Sequence, residues 1–177
     1  IPDVCDKAYK ELGVDFSEYD SDGDNKVDLV YVIFAGYSGS ISGTSDDCIW
    51  PKTGTQYAGP YNGVTVNRYS VANELNGNPQ ATTKYGYMIN GIGLFCHEFS
   101  HAMGLPDFYS TNNATQTDNQ GMEDWSILDG GEYVHNGYYP TAYTAWEREA
   151  MAWMAIETLT EKGTYRINSL TKGIDDT

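Results

Sequence analysis

His97 and His101 stand four residues apart in CHEFSHAMGLPDFY, residues 96–109, and Glu98 directly follows the first of them. On an α-helix, positions i and i+4 lie one above the other, so two imidazole nitrogens can meet a single metal ion. Glu98 is displaced by about one hundred degrees of helix turn, near enough to exchange a proton with water on that ion without ligating it. The chemistry this spacing suits is metal-assisted hydrolysis. A catalytic zinc takes three protein ligands and keeps a fourth position open for water. Downstream, Gly104 can adopt the left-handed conformation that closes a helix, and Pro106 drives Leu105 toward an extended one. The chain can therefore turn back and bring Asp107 to the ion. Glu147 and Glu149, on a later predicted helix, are the alternative third ligands.

A second group of oxygen ligands precedes the first long apolar run. In DSDGDNKVD, Asp20, Asp22, Asp24 and Asp28 fall at positions 1, 3, 5 and 9 of an EF-hand-like loop, and Lys26 at position 7 offers its backbone carbonyl. Carboxylates crowded in this way repel one another unless a cation lies between them, so a structural Ca2+ is expected. Asn25 stands where an EF-hand carries its turn glycine, a replacement that left-handed asparagine permits. Position 12 is Tyr31 instead of glutamate, and the loop leads into a strand, so no helix-loop-helix is expected.

The elements that must position these groups show in the pattern. Val4, Ala8 and Leu12 predict a short helix ended by Gly13, and VDLVYVIFAG, residues 27–36, predicts a buried strand. From IWPKTG to about residue 90 the pattern is of short strands broken by Gly, Pro and Asn, among them the alternating YNGVTVNRYSV. INGIGLFCHEFSHAMG, residues 89–104, predicts the helix carrying His97, Glu98 and His101, with Ile92, Phe95, Phe99 and Met103 as its apolar stripe. PTAYTAWEREAMAWMA, residues 140–155, predicts a further helix with Pro140 near its start, and TYRINSL, residues 164–170, a closing strand.

Composition limits the classes. Hydrophobic residues make up 40% of the 177, enough for a core, and no repeat or linker divides the chain, so residues 1–177 are expected to form one domain. A net charge of −15, with only ten Lys and Arg, argues against a nucleic-acid surface. Cys5, Cys48 and Cys96 are too scattered for a disulfide framework and leave either one bridge and one thiol or three thiols. Cys96, beside apolar Leu94 and Phe95, reads as a buried structural thiol. There is no signal-like start and no apolar stretch long enough for a membrane span. The abrupt ends lead to the expectation of a fragment of a longer protein.

The pattern H-E-x-x-H-x-x-G-x-x-D has the framework of the metzincin signature, with Asp107 where the last histidine usually stands. Together with DSDGDNKVDLVYVIFAGY, CIWP at Cys48–Pro51 and WSILDGG at Trp125–Gly131, it resembles the immune inhibitor A type of secreted bacterial metallopeptidases, from about residue 15 to 155. That resemblance implies a zinc endopeptidase catalytic domain, secreted, and made with a pro-segment and additional domains. It also implies a methionine-bearing turn beneath the zinc; WSILDGG takes that place, with Leu128 filling a similar apolar volume.

The expected fold is α+β: a metzincin-like mixed, twisted sheet with the active-site helix packed on it, and a smaller lower subdomain built from the later turn and helix. In the expected mechanism His97, His101 and Asp107 hold Zn2+ with a water in the fourth position. Glu98 takes that water's proton during attack on a peptide carbonyl and returns it to the leaving amine. Tyr133, Tyr138 or Tyr143 could donate to the oxyanion, and an extended substrate could pair with an edge strand of the sheet. Two other functions fit parts of the pattern. A calcium-dependent binding or adhesion module would keep the metal site without catalysis, though it has no use for Glu98. An exopeptidase with a distal glutamate ligand would cut only at substrate ends. The expected partner is a protein or peptide substrate, and the expected location is extracellular, from the resemblance and from the use of calcium.

Overall fold

The computed structural model describes residues 1–41, 47–76, 88–112 and 121–167. Helix α1, Pro2–Leu12, has proline in its first turn, where the missing N–H is no loss, and closes on Gly13 in the left-handed conformation. Its Cys5 and Ala8 pack against Phe16, Val27, Tyr61, Val64 and Val66 in a buried apolar cluster.

Strand β4, Val64–Asn73, is the centre of the sheet. On one side β3, Lys52–Tyr61, runs antiparallel to it through a hairpin whose Asn62 and Gly63 both have positive φ. On the other side β1, Lys26–Val27, and β2, Val30–Phe34, run parallel to β4. Lys26 faces Thr65 and Val30 faces Tyr69, so Asp28 and Leu29 interrupt the pairing without shifting its register. The sheet is therefore mixed, and the chain is an α/β structure. A short antiparallel pair, β5 (Leu75–Asn76) and β6 (Met88–Ile89), stands apart from it.

Several expectations about elements change. The broken pattern after Ile49 contains two ten-residue strands, because Gly54 pairs in register and Gly59-Pro60 falls at a register shift and not at a strand end. The run at 27–36 is not a buried strand: β2 is half-buried, with Ile33 65% exposed. Helix α3 spans only Ala145–Ala150 within the predicted 140–155. Thr144 and Glu147 form a capping box that fixes its start, Thr141 is drawn off by hydrogen bonds to Gly131 and Asp124, and Ala152 is left-handed. Residues 164–167 carry no strand, and the rest of that predicted element lies outside the described residues.

Helix α2, Ile92–Ala102, begins at Gly91 because Ile89 already belongs to β6. Its apolar stripe is not its buried face. Ile92, Phe95 and Phe99 remain partly exposed, while Leu94, His97, Glu98 and Ser100 are buried. The sheet explains this inversion by offering polar partners. Arg68 of β4 donates to the Ala102 carbonyl at 2.6 Å, and Thr53 of β3 donates to the Glu98 carbonyl at 2.6 Å. Tyr31 of β2 covers Phe95, with ring centroids 4.4 Å apart. Among the described residues no helix is long and apolar enough to cross a membrane.

Candidate active site

Helix α2 places the His97 and His101 rings on one side, one turn apart, with their Nε2 atoms 3.0 Å from each other. After α2, Gly104 has φ 101° and the chain folds back, so that Asp107 Oδ1 lies 3.3 Å from His97 Nε2 and 3.0 Å from His101 Nε2. Ligand atoms around a tetrahedral zinc with nitrogen and oxygen donors stand about 3.3 Å apart, so the triangle has the size of one face of such a site. Each imidazole is oriented through its other nitrogen. His97 Nδ1 meets the Ile127 carbonyl at 2.9 Å and His101 Nδ1 the Leu105 carbonyl at 2.8 Å. Carbonyls accept only, so both Nδ1 atoms carry the proton and both Nε2 atoms present lone pairs to each other. With both rings neutral in that tautomer, the buried Asp107 Oδ1 accepts no hydrogen bond; only a protonated Nε2 would give it one. The three atoms thus form an acceptor-only pocket that a cation satisfies.

Without an ion, protons do the same work. Burial opposes charge on His97, but the Asp107 carboxylate, Glu132 and the Ile127 carbonyl outweigh it and raise the ring to about 9. His101 rises for the same kind of reason, burial being outweighed by Asp107 and the Leu105 carbonyl. Burial also raises the carboxyl of Asp107, yet hydrogen bonding to the two rings wins and holds it well below the usual carboxylate range.

The turn at Trp125–Gly131 lies directly beneath. Besides presenting the Ile127 carbonyl, it accepts the Phe108 N–H on the Leu128 carbonyl at 2.9 Å and so braces the loop that carries Asp107. Leu128 is fully buried with Leu105 and Ile127, and Cys96, Phe108, Tyr143 and Met151 pack around them. Burial raises the Cys96 thiol, and all three cysteines are free. Glu147 is placed away from the ligand triangle: its carboxylate accepts from Ser126 at 2.9 Å and caps its own helix at Thr144. Glu149 accepts the Ile156 N–H on the exposed side of α3.

Glu98 is 5% exposed, and Thr53 Oγ1 of β3 stands 3.0 Å from its Oε2. Burial raises its carboxyl, although Thr53 and the two imidazoles favour the charged form. A cleft of 230 Å³ opens beside it, lined among others by Trp50, Leu94, Tyr109, Glu132 and Tyr133. Of the tyrosines singled out in the sequence, only Tyr133 faces this cleft. Tyr138 donates to the Ile89 carbonyl at 2.7 Å, and Tyr143 shares a 2.6 Å hydrogen bond with Ser100. Sequence reading missed Thr53, Tyr109 and Glu132. Tyr109 adjoins the HExxH motif and its ring stacks over His97, whereas Thr53 and Glu132 carry no local signal. Burial lifts the Glu132 carboxyl to about 7, against the pull of His97 and the neighbouring Tyr133 hydroxyl.

The acidic loop gathers Asp20, Asp22 and Asp24 closely enough for one ion. Asn25 takes the left-handed turn at φ 64°, and Asp20 accepts the N–H groups of Gly23, Asp24 and Asn25. Asp28 is not in that close group, but it lines the same recess as Asp22, Asp24 and Lys26. The ammonium of Lys26 pairs with Asp24.

Two helix-borne imidazoles, a carboxylate on the following turn and a buried glutamate beside a cleft, all set against a mixed sheet, are the parts of a metallopeptidase catalytic domain. The family model described as "Immune inhibitor A peptidase M6, catalytic domain" matches residues 6–155, and the chain belongs to that family. It is 27% identical over 171 residues to immune inhibitor A of Bacillus thuringiensis subsp. alesti, covering 81% of this chain and 23% of that protein. To the pre-pro-metalloprotease PrtV of Vibrio cholerae serotype O1 (strain M66-2) it is 27% identical over 170 residues, covering 84% of this chain and 18% of the relative. The chain therefore spans about a quarter or less of the length of these curated relatives.

Proposed function

We propose that this chain hydrolyses internal peptide bonds of proteins, with zinc held by His97, His101 and Asp107 and with Glu98 as general base. The observation that carries the reading is the facing pair of imidazole lone pairs, 3.0 Å apart, closed by an otherwise unpartnered Asp107 oxygen next to a buried glutamate. Zinc bound there supplies Lewis acidity, which acidifies water and polarises a substrate carbonyl. Glu98 receives the proton of the attacking water and delivers it to the departing amide nitrogen. The Thr53 hydroxyl, 3.0 Å from Oε2, keeps a polar neighbour beside the Glu98 carboxylate, and Tyr133, which lines the cleft, would donate to the developing oxyanion. Among the described residues the outer edge of β3, beside Glu98, pairs with no strand, and it suits an extended substrate, which would add to the sheet as a strand.

In this reading the arrangement is metzincin-like, with Leu128 in the place of the methionine and the later turn and α3 as the lower part of one catalytic domain. Calcium at Asp20, Asp22 and Asp24, with the Lys26 carbonyl and Asp28, would fix the loop before β1. Secretion follows from the same reading, because exposed carboxylate loops of this kind fill at extracellular calcium levels.

The test is a peptide blocked at both ends. The zinc-loaded chain should cut it internally, lose that activity to a chelator, and regain it on addition of zinc. Cleavage that requires a free terminus would replace the endopeptidase with an exopeptidase. Retention of all activity after zinc removal would overturn the metal reading.

A further inference from the structure

We propose that Glu132 makes the cleft beside Glu98 a receptor for a lysine or arginine side chain of the substrate, at a position adjoining the scissile bond. This rests on the peptidase reading above and adds to it the substrate class.

The cleft has two faces. Leu94, His97 and Glu98 of α2 form one, and Gly130, Glu132 and Tyr133 of the facing 3-10 segment, Gly130–Gly137, contribute the other. Two carboxylates line it in addition to Glu98. Asp129 is committed to the backbone: its Oδ1 accepts Gly130 N–H at 2.8 Å and its Oδ2 accepts Glu123 N–H at 2.6 Å. Glu132 is not tied to the backbone. It is 5% exposed, and its Oε2 is fully buried with no hydrogen-bond partner, while the Tyr133 hydroxyl lies beside the carboxylate. The cationic candidate nearest to it, His97 Nδ1, lies 3.6 Å away and already gives its proton to the Ile127 carbonyl. Among the described residues no lysine or arginine lines the cleft.

A buried carboxylate oxygen without a donor is costly, so the site is complete only when something enters with a donor to give it. A Cβ on Gly93 would fall 1.9 Å from the Glu132 backbone carbonyl oxygen, and one on Gly91 would fall 2.2 Å from the Gly137 carbonyl carbon, so the backbone that carries Glu132 lies directly against α2 through two glycines. The walls suit the rest of a long cationic side chain: the rings of Trp50, Tyr109 and Tyr133 line the cleft, where aromatic faces favour an alkyl stem or a guanidinium.

The test compares matched peptides differing only in lysine, arginine or norleucine at each position flanking the cut, with wild type and Glu132→Gln. At one flanking position the kcat/KM ratio of lysine to norleucine should exceed about tenfold, and it should fall toward one in the variant. Equal losses for all peptides in the variant would mean that Glu132 only supports the fold, and would overturn the proposal. A ratio near one in wild type, or an unaltered ratio in the variant, would do the same. Peptide binding to zinc-loaded Glu98→Gln, with and without Glu132→Gln, separates the two levels. If no peptide is cut but the lysine peptide binds preferentially through Glu132, the peptidase reading fails and the cationic receptor stands. If peptides are cut but neither rate nor binding depends on the charge, the receptor fails and the peptidase stands.

Discussion

Two imidazole Nε2 atoms that face each other at 3.0 Å, as those of His97 and His101 do, need positive charge between them, a metal ion or a proton. A metal ion and protons therefore compete for the same atoms. With His97 raised to about 9 and His101 also raised, loading the site near neutral pH must displace protons. Zinc affinity should rise with pH between 6 and 8, by up to about tenfold per unit for each proton released. A chelator competition series measures this, and a flat profile would show that the rings are already neutral. At this scale the sequence was highly informative where geometry is local. The i, i+4 spacing of the histidines and the turn at Gly104 bring His97, His101 and Asp107 within reach of one another, and the Ile127 and Leu128 carbonyls then brace them. Thr53 and Glu132 were illegible because they reach the site from other segments. Thr53 comes from a strand 45 residues before Glu98, and its contact depends on a register that no local pattern specifies.

Helix α2 shows how an element can be legible in existence and misread in orientation. Its apolar stripe predicts the buried face, yet the polar face is buried because the sheet brings Thr53, Ser70 and Arg68 to it. Whether a polar helix face can be buried depends on partners from other strands, which periodicity does not contain. The turn beneath the site makes a firmer prediction. Leu128 is completely buried and its neighbour Ile127 orients His97, so Leu128→Ala should cost about 3 kcal/mol and also lower zinc occupancy. Leu128→Met should cost less than about 1.5 kcal/mol and keep the metal. Urea midpoints and zinc content of the two variants check this. Similar losses for both substitutions would mean that shape at this position, and not filled volume, supports the turn. The shortening of α3 has the same lesson as α2. The capping box at Thr144 was written in the sequence, but the hydrogen bonds that claim Thr141 come from the preceding turn, at Gly131 and Asp124, which helical periodicity does not register.

Across the whole molecule, a net charge of −15 sets carboxylates against one another, most densely at Asp20, Asp22 and Asp24. Their loop leads straight into β1 and, through β4, is tied to the strand pair that holds α2. Calcium added to the zinc-loaded, calcium-stripped chain should raise its melting midpoint by on the order of 5 °C at a hundredfold excess over Kd. Asp22→Ala should abolish that rise while zinc content stays the same. A rise that persists in the variant would place calcium elsewhere. The central claim is that one buried glutamate beside a three-ligand metal site breaks peptide bonds, and it is tested most directly by zinc content and casein cleavage on the same samples of wild type and Glu98→Gln. The account predicts equal zinc in both, internal cuts by wild type, and a rate in the variant lower by about a hundredfold or more. Equal cleavage by the two at equal zinc content would contradict it.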